Sequence, residues 1–285
     1  MTSNDFKAAL RKVILPSDQV VVVYSGIWTF GHLFDTDART LPILLLDALL
    51  EVCGCERSLV FPTYTNSFAR TRRYDPVIST PETGVLPTTF LRHYGGVRSL
   101  SAMNSFAAIG PKADTLARMK GETLWGKGSV KEYLEKINAR IVMLGRPLSL
   151  ACGYVHRMEE VALVPYRYHK TFHGLRIEGG NELPWAETMY VRPLGCPLVV
   201  RWERVADRMW AKGLMLSGSR QFILESALAK DITNTGLELF ADNPYAVLVN
   251  EDEVRGWVQN GKQLELEELR RSEPEALSYH RTFNT

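Results

Sequence analysis

No stretch of this sequence approaches the roughly 18 consecutive apolar residues that a membrane-crossing helix needs. The N-terminal stretch from Met1 to Pro16 also lacks the uninterrupted apolar core of a signal peptide. Cysteine is scarce: only Cys53, Cys55, Cys152 and Cys196 occur in 285 residues. Cys53-Gly-Cys55 has the wrong spacing for a zinc knuckle or a redox pair, and no second Cys/His pair completes a metal site. Excess charge of one sign is missing too, since the formal net charge is +2, so neither nucleic acid nor a membrane surface is called for as a partner. These absences predict a cytoplasmic protein with free thiols and no metal. They leave a homodimer open.

Several motifs are also absent. There is no GxGxxG, no GxSxG elbow and no HExxH, and Gly126-Lys-Gly-Ser129 is too short for a phosphate-binding P-loop. His169 and His173, four apart without the glutamate of a zinc helix, read as ordinary. Arg70, Arg72 and Arg73 form the densest basic cluster. They read either as a solvated loop or as a local anion site for a phosphate.

What is present is an alternation of short apolar runs with helical patterns. Hydrophobic composition of 45% suffices for a sizeable core. Strands are expected at 20–24, 59–61, 107–109, 141–144 and 246–249. Helices are expected at 5–13, 42–52, 88–94, 130–138, 156–164 and 219–231, and again in the charged tail after Leu264. Ser129 and Glu132 have the spacing of a capping box. Strands separated by helices predict an α/β layered mixed sheet flanked by helices. All of 1–285 reads as a single domain, with a small β-rich lobe at about 166–202. The long irregular stretch 63–87 is of the length that usually carries function.

Among six histidines, His156 stands out. It follows the strand 141–144 and the loop 145–153, where ligand crevices of open α/β sheets form. Glu159 and Glu160 lie three and four residues on, on the same helix face. A carboxylate bonded to one ring nitrogen fixes the tautomer and raises the basicity of the other, which makes a general base. The spacing equally fits a surface histidine beside two helix-start acids.

Several segments, in order, resemble the aminoglycoside 3-N-acetyltransferase family. Val21-Val-Val-Tyr-Ser-Gly-Ile is similar to its first strand and His-Ser-Ser turn, and Phe61-Pro-Thr-Tyr-Thr to its Pro-Thr-Phe-Thr. Tyr74-Asp-Pro and Thr80-Pro-Glu-Thr-Gly-Val-Leu resemble its Phe-Asp-Pro and Ser-Pro-x-x-Gly-x-Leu. Val97-Arg-Ser-Leu and Asn104-Ser-Phe-Ala-Ala-Ile-Gly resemble its Arg-Ser-x-His-Pro-x-x-Ser segment. Met143-Leu-Gly, His156-Arg-Met-Glu and Val164-Pro-Tyr-Arg resemble its Leu-Gly, His-x-x-Glu and following residues.

The resemblance implies acetyl-CoA, or another acyl-CoA, as co-substrate and a sugar amine as acceptor. It implies His156 as base with Glu159 orienting it. Ser25, Thr63, Arg98, Ser99, Ser105 and Ser129 are then candidates for the coenzyme side. Tyr24, Asp75, Glu82 and Ser101 are candidates for the acceptor side. The chain departs from the family pattern in three places: Ser101-Ala102 stands for His-Pro, Tyr24-Ser25-Gly26 for His-Ser-Ser, and Gly153 for a frequent threonine. These departures turn the expectation from an aminoglycoside-resistance enzyme towards acylation of another amino sugar, nucleotide-linked among the options. A Ser/His/Glu hydrolase using Ser101 or Ser105, and a ligand-binding relative without turnover, are the other readings.

Overall fold

Four consecutive valines open Val20–Ser25 (β1), and the side chains of this strand alternate between two apolar cores. Val20, Val22 and Tyr24 face one core, while Val21 and Val23 face the other. This is why the run is continuously apolar: both faces are buried, and each valine contributes about 1.5–3 kcal/mol. The computed structural model describes residues 1–259 except His32 and Cys152. The expected helix after Leu264 lies outside the described residues.

The remaining strands are β2 (Ser58–Pro62), β3 (Arg73–Tyr74), β4 (Val97–Arg98), β5 (Phe106–Ile109) and β6 (Arg140–Leu144). They are followed by β7 (Tyr168–Glu178), β8 (Asn181–Val191), β9 (Leu216–Ser217) and β10 (Leu224–Leu228). Seven of them form a mixed sheet in the order β4-β5-β2-β1-β6-β10-β9, with β2, β1 and β6 parallel at its centre. β10 runs antiparallel to β6, and β5 antiparallel to β2. A second sheet, β3-β7-β8, is built on the long hairpin β7–β8. Residues 192–199 are irregular.

The helices are α1 (Ser3–Val13), α2 (Thr40–Cys53), α3 (Phe68–Thr71), α4 (Val85–Tyr94) and α5 (Ala113–Ala117). Then come α6 (Val130–Lys136), α7 (Leu148–Ala151), α8 (Val155–Val161), α9 (Glu203–Ala211) and α10 (Ala229–Asp242). Residues of α1, α2 and α4 cover one face of the large sheet. Residues of α6, α8, α9 and α10 cover the other, which is the face that carries the site. Gly236 lets α10 lie close on α8, because a Cβ there would sit 1.9 Å from Met158 Sδ. No described helix is long and apolar enough to cross a membrane.

Two expected elements differ. The helix expected over 219–231 is instead β10 followed by α10, since pairing with β6 overrides the helix-favouring Leu, Glu and Ala of this segment. The strand expected at 246–249 reduces to one bridge between Val200 and Leu248. The long stretch 63–87 also contains α3 and β3, the latter pairing in parallel with β7.

Candidate active site

β1 and β6 end side by side, where Gly26 N–H donates to the Leu144 carbonyl at 2.8 Å. From the end of β6 the chain passes through α7 to α8, which places His156 on the second residue of α8. One helical turn on, Glu159 is fully buried, and its Oε2 accepts from His156 Nδ1 at 2.8 Å. An ionised carboxylate only accepts, so Nδ1 carries the proton and Nε2 keeps the lone pair. Arg167 Nε lies 2.9 Å from the other oxygen, Oε1, and sets a positive charge against this buried carboxylate. The His156 side chain is a third exposed.

Two indoles frame the imidazole. Trp125 stacks on it with ring centroids 4.9 Å apart, and Trp202 meets it edge-on at 6.2 Å. Burial among these rings pulls the His156 pKa below the ordinary histidine value, and the charges of Arg167 and Lys131 add to the effect. The Glu159 hydrogen bond and charge oppose it without cancelling it. His156 is therefore neutral at neutral pH, the state a base requires.

The orientation of α8 is held from below. Arg157 grips Glu135 of α6 with Nε–Oε1 at 2.6 Å and Nη2–Oε2 at 2.7 Å, and donates to the Trp125 carbonyl. One arginine thus fixes both the helix that bears the histidine and the indole stacked on it. Glu160, which shares the expected face, pairs with His169 Nε2 at 2.9 Å, so His169 is not an idle surface residue.

The predicted coenzyme-side residues divide into two groups. Thr63, Arg98, Ser99 and Ser105 are buried, and their polar groups are bonded to one another and to nearby backbone. Arg98 donates to the Thr63 and Ser79 carbonyls, to Thr65 Oγ1 at 2.7 Å and to Thr63 Oγ1 at 3.2 Å. Ser105 Oγ donates to the Thr63 carbonyl at 2.6 Å, and Ser99 Oγ accepts from Phe106 N–H at 2.9 Å. Together they clamp the long stretch 63–80 onto β5. Ser105 is thereby unavailable as a nucleophile. Asp75 and Glu82 are also occupied: Asp75 accepts from Val77 N–H at 2.8 Å, and Glu82 from Ser67 N–H at 3.1 Å. The basic cluster disperses, with Arg72 donating to the His173 carbonyl and Arg73 paired with Glu182 at 2.6 Å.

Ser101 and Ser129 line a cavity, Ser25 is half-buried and Tyr24 is buried in the core. Ser25 is the half-buried last residue of β1, and Tyr24 Oη lies 3.1 Å from Tyr64 Oη. Ser129 caps α6 by accepting from Glu132 N–H at 3.2 Å, while Glu132 reaches one residue further back than a capping box requires, to Gly128 N–H. Ser101 and Ser129 line a cavity of about 250 Å³ together with Asn104, Lys120, Thr123 and Thr188. His156 does not line it. The intervening segment gives Leu124, Ser129 and Val130 to the cavity and Trp125 to the imidazole. Asn104 Oδ1 is buried there with no hydrogen-bond partner, although its Nδ2 donates to the Leu124 carbonyl.

The sequence profile of the family described as "Aminoglycoside 3-N-acetyltransferase" matches residues 37–216. The chain belongs to this family. It is thus placed among acetyl-CoA-dependent N-acetyltransferases. Solved structures of aminoglycoside acetyltransferases share the fold. AAC(3)-IVa as apoenzyme is 22% identical, with a TM-score of 0.67 over 89% of this chain and 96% of that one. AAC(3)-Xa is 20% identical, with a TM-score of 0.70 over 84% and 92%. AAC-IIIb, solved as a binary complex with CoASH, is 19% identical, with a TM-score of 0.70 over 85% and 97%. No curated protein sequence matches.

Several residues of this acetyltransferase site had no local sequence signal. Glu187 accepts from the Ala102 and Met103 N–H groups, and so ties β8 to the loop beside Ser101. Lys131 is buried under Tyr64, Trp125 and Tyr154 and donates to the Gly153 carbonyl. A buried lysine inside a helix reads as a surface residue until the rings around it are seen. Trp125 lies between Leu124 and Gly126 and Trp202 between Arg201 and Glu203, with no motif at either.

Proposed function

We propose that this chain transfers an acetyl group from acetyl-CoA to the amino group of a sugar-like acceptor, with Nε2 of His156 as general base. The observation that supports this reading most is the buried Glu159 carboxylate held between His156 Nδ1 and Arg167 Nε. That arrangement fixes the tautomer and lets the imidazole become imidazolium without losing its partner. An acceptor ammonium has no lone pair, so it first gives one proton to solvent, and His156 takes a second as the free amine attacks the thioester carbon. The C–N bond forms, the carbonyl electrons move to oxygen, and they return as the C–S bond breaks. The thiolate then takes the proton held by His156. General base assistance of this kind contributes roughly 10²–10⁴ in rate.

The donor needs a site that reaches this histidine, and the segment 124–130 borders both His156 and a cavity. The cavity at Ser101, Asn104 and Ser129 fits the pantetheine arm, because the unpartnered Asn104 Oδ1 is an acceptor and pantetheine carries amide N–H donors. Acceptors joined to a nucleotide belong to the same reading, as sugars that bear both an amine and phosphates. A thiol-release assay with acetyl-CoA against amino sugars, nucleotide-linked amino sugars and aminoglycosides tests it. Release that depends on an amine acceptor is expected. Release at the same rate without any amine would instead mark a thioester hydrolase.

A further inference from the structure

Trp125 stacks on His156 with ring centroids 4.9 Å apart, so the place of this indole is set by how the backbone of residues 124–126 is held. Three ties hold it. The Leu124 N–H donates to the Thr188 carbonyl of β8 at 2.8 Å. The Trp125 carbonyl accepts from Arg157 Nη1 of α8. Between them, the Leu124 carbonyl accepts from Asn104 Nδ2 at 2.7 Å. Two of these ties come from side chains, and of those two only Asn104 lines the cavity of Ser101 and Ser129. The backbone of Asn104 is anchored there as well, since its N–H donates to Ser101 Oγ at 3.2 Å.

Asn104 is 2% exposed, and its amide is used at one end only. A backbone carbonyl can only accept, so the amide must present Nδ2 to Leu124. That choice leaves Oδ1 buried and, among the described residues, without a hydrogen-bond partner. Native folds keep few such groups, and a bound donor is one way to satisfy them. With the indole in place, burial disfavours the imidazolium and holds His156 neutral. The charged groups facing the ring are Glu159 of its own helix, Arg167 beyond that helix and Lys131 of α6. A neutral substitution at position 104 alters none of them.

We infer that Asn104 is a positioning residue for the transfer: Nδ2 holds Trp125 against His156 through the Leu124 carbonyl, while Oδ1 meets an N–H of the donor in the cavity. This rests on the acyl-transfer reading above, in which His156 is the base, and adds a residue that acts on that base from the donor side. When the tie is cut, the Leu124 carbonyl loses its partner and the indole loses its anchor. The imidazole then gains solvent. NMR titration of His156 in the full-length protein, labelled at histidine, reads this without turnover. The signal of interest is the one missing from His156→Ala.

Asn104→Leu replaces the amide with a neutral group of similar shape, and Asn104→Ala repeats the test with a smaller one. In both, the His156 midpoint is expected at higher pH than in the parent, and kcat falls roughly tenfold or more, as displacement of a reacting group does. Trp125→Leu shifts the midpoint in the same direction. Asn104→Leu added to it moves the midpoint no further, because the two residues act along one path. Pantetheine is expected to bind Asn104→Leu about fivefold or more weakly, the loss of one hydrogen bond. A folded Asn104 variant with the parental His156 midpoint overturns the inference, even where its urea midpoint drops, since that pattern marks an architectural role. Shifts from Asn104→Leu and Trp125→Leu that add in full also overturn it, and unchanged pantetheine affinity removes the link to the donor. Failure to acetylate any amine would sink the acyl-transfer reading and leave the titration intact.

Discussion

At the scale of single residues the account turns on what surrounds one imidazole. Glu159 supplies orientation, while Trp125, Trp202 and the cation of Lys131 keep the ring neutral. The sign of the pH dependence follows. A base works when deprotonated, so activity is present above the His156 pKa and falls as pH drops through it. Because the net shift is downward, the acid limb of kcat/KM is expected below the ordinary histidine value of about 6.5. Lys131→Met removes a charge that disfavours imidazolium, so the limb moves to higher pH in that variant. A kcat/KM profile from pH 5 to 8 on both proteins checks this. A limb that stays put, or moves down, contradicts the role given to Lys131. His156 and Glu159 were legible from spacing and resemblance. Lys131 was not, because burial beneath three rings is a property of the assembled fold.

At the scale of elements, the position of α8 depends on a tie that is invisible in local sequence. Arg157 and Glu135 stand 22 residues apart and meet with their side chains 8% and 14% exposed. Thr233 of α10 donates to the same Glu135 carboxylate, which gathers three helices at one point. Arg157→Met leaves that carboxylate uncompensated and is expected to cost about 3–5 kcal/mol of stability. Urea unfolding reads the loss directly. The paired replacement Arg157→Met with Glu135→Leu recovers part of it, since two apolar side chains leave no stranded charge. An unchanged midpoint in the single variant would show that α8 is held by apolar packing alone. The clamp at Arg98 teaches a related lesson. Its residues match family motifs, and they hold the stretch 63–80 in place. A motif marks what a fold requires, whether for chemistry or for architecture. The strand β10 was missed because Leu, Glu, Ser and Ala favour helices locally, while its pairing partner β6 lies some 80 residues away in sequence.

At the scale of the whole molecule, the layered α/β sheet was legible because β1, β2 and β6 are short β-branched or apolar runs bounded by turns. The order of the seven strands, and the joining of β3 to the β7–β8 hairpin, come from long-range pairing that no window of sequence contains. That pairing sets the ends of β1 and β6 side by side, although Ser25 and Leu144 are far apart in the chain. The family assignment rests on the match over residues 37–216, and the chemistry we propose rests on His156. The most direct measurement is single-turnover acetyl transfer by His156→Ala alongside equilibrium binding of acetyl-CoA to the same variant. The account predicts transfer slowed by roughly a hundredfold or more with donor affinity near that of the parent. Transfer at the parental rate, with binding intact, would contradict it.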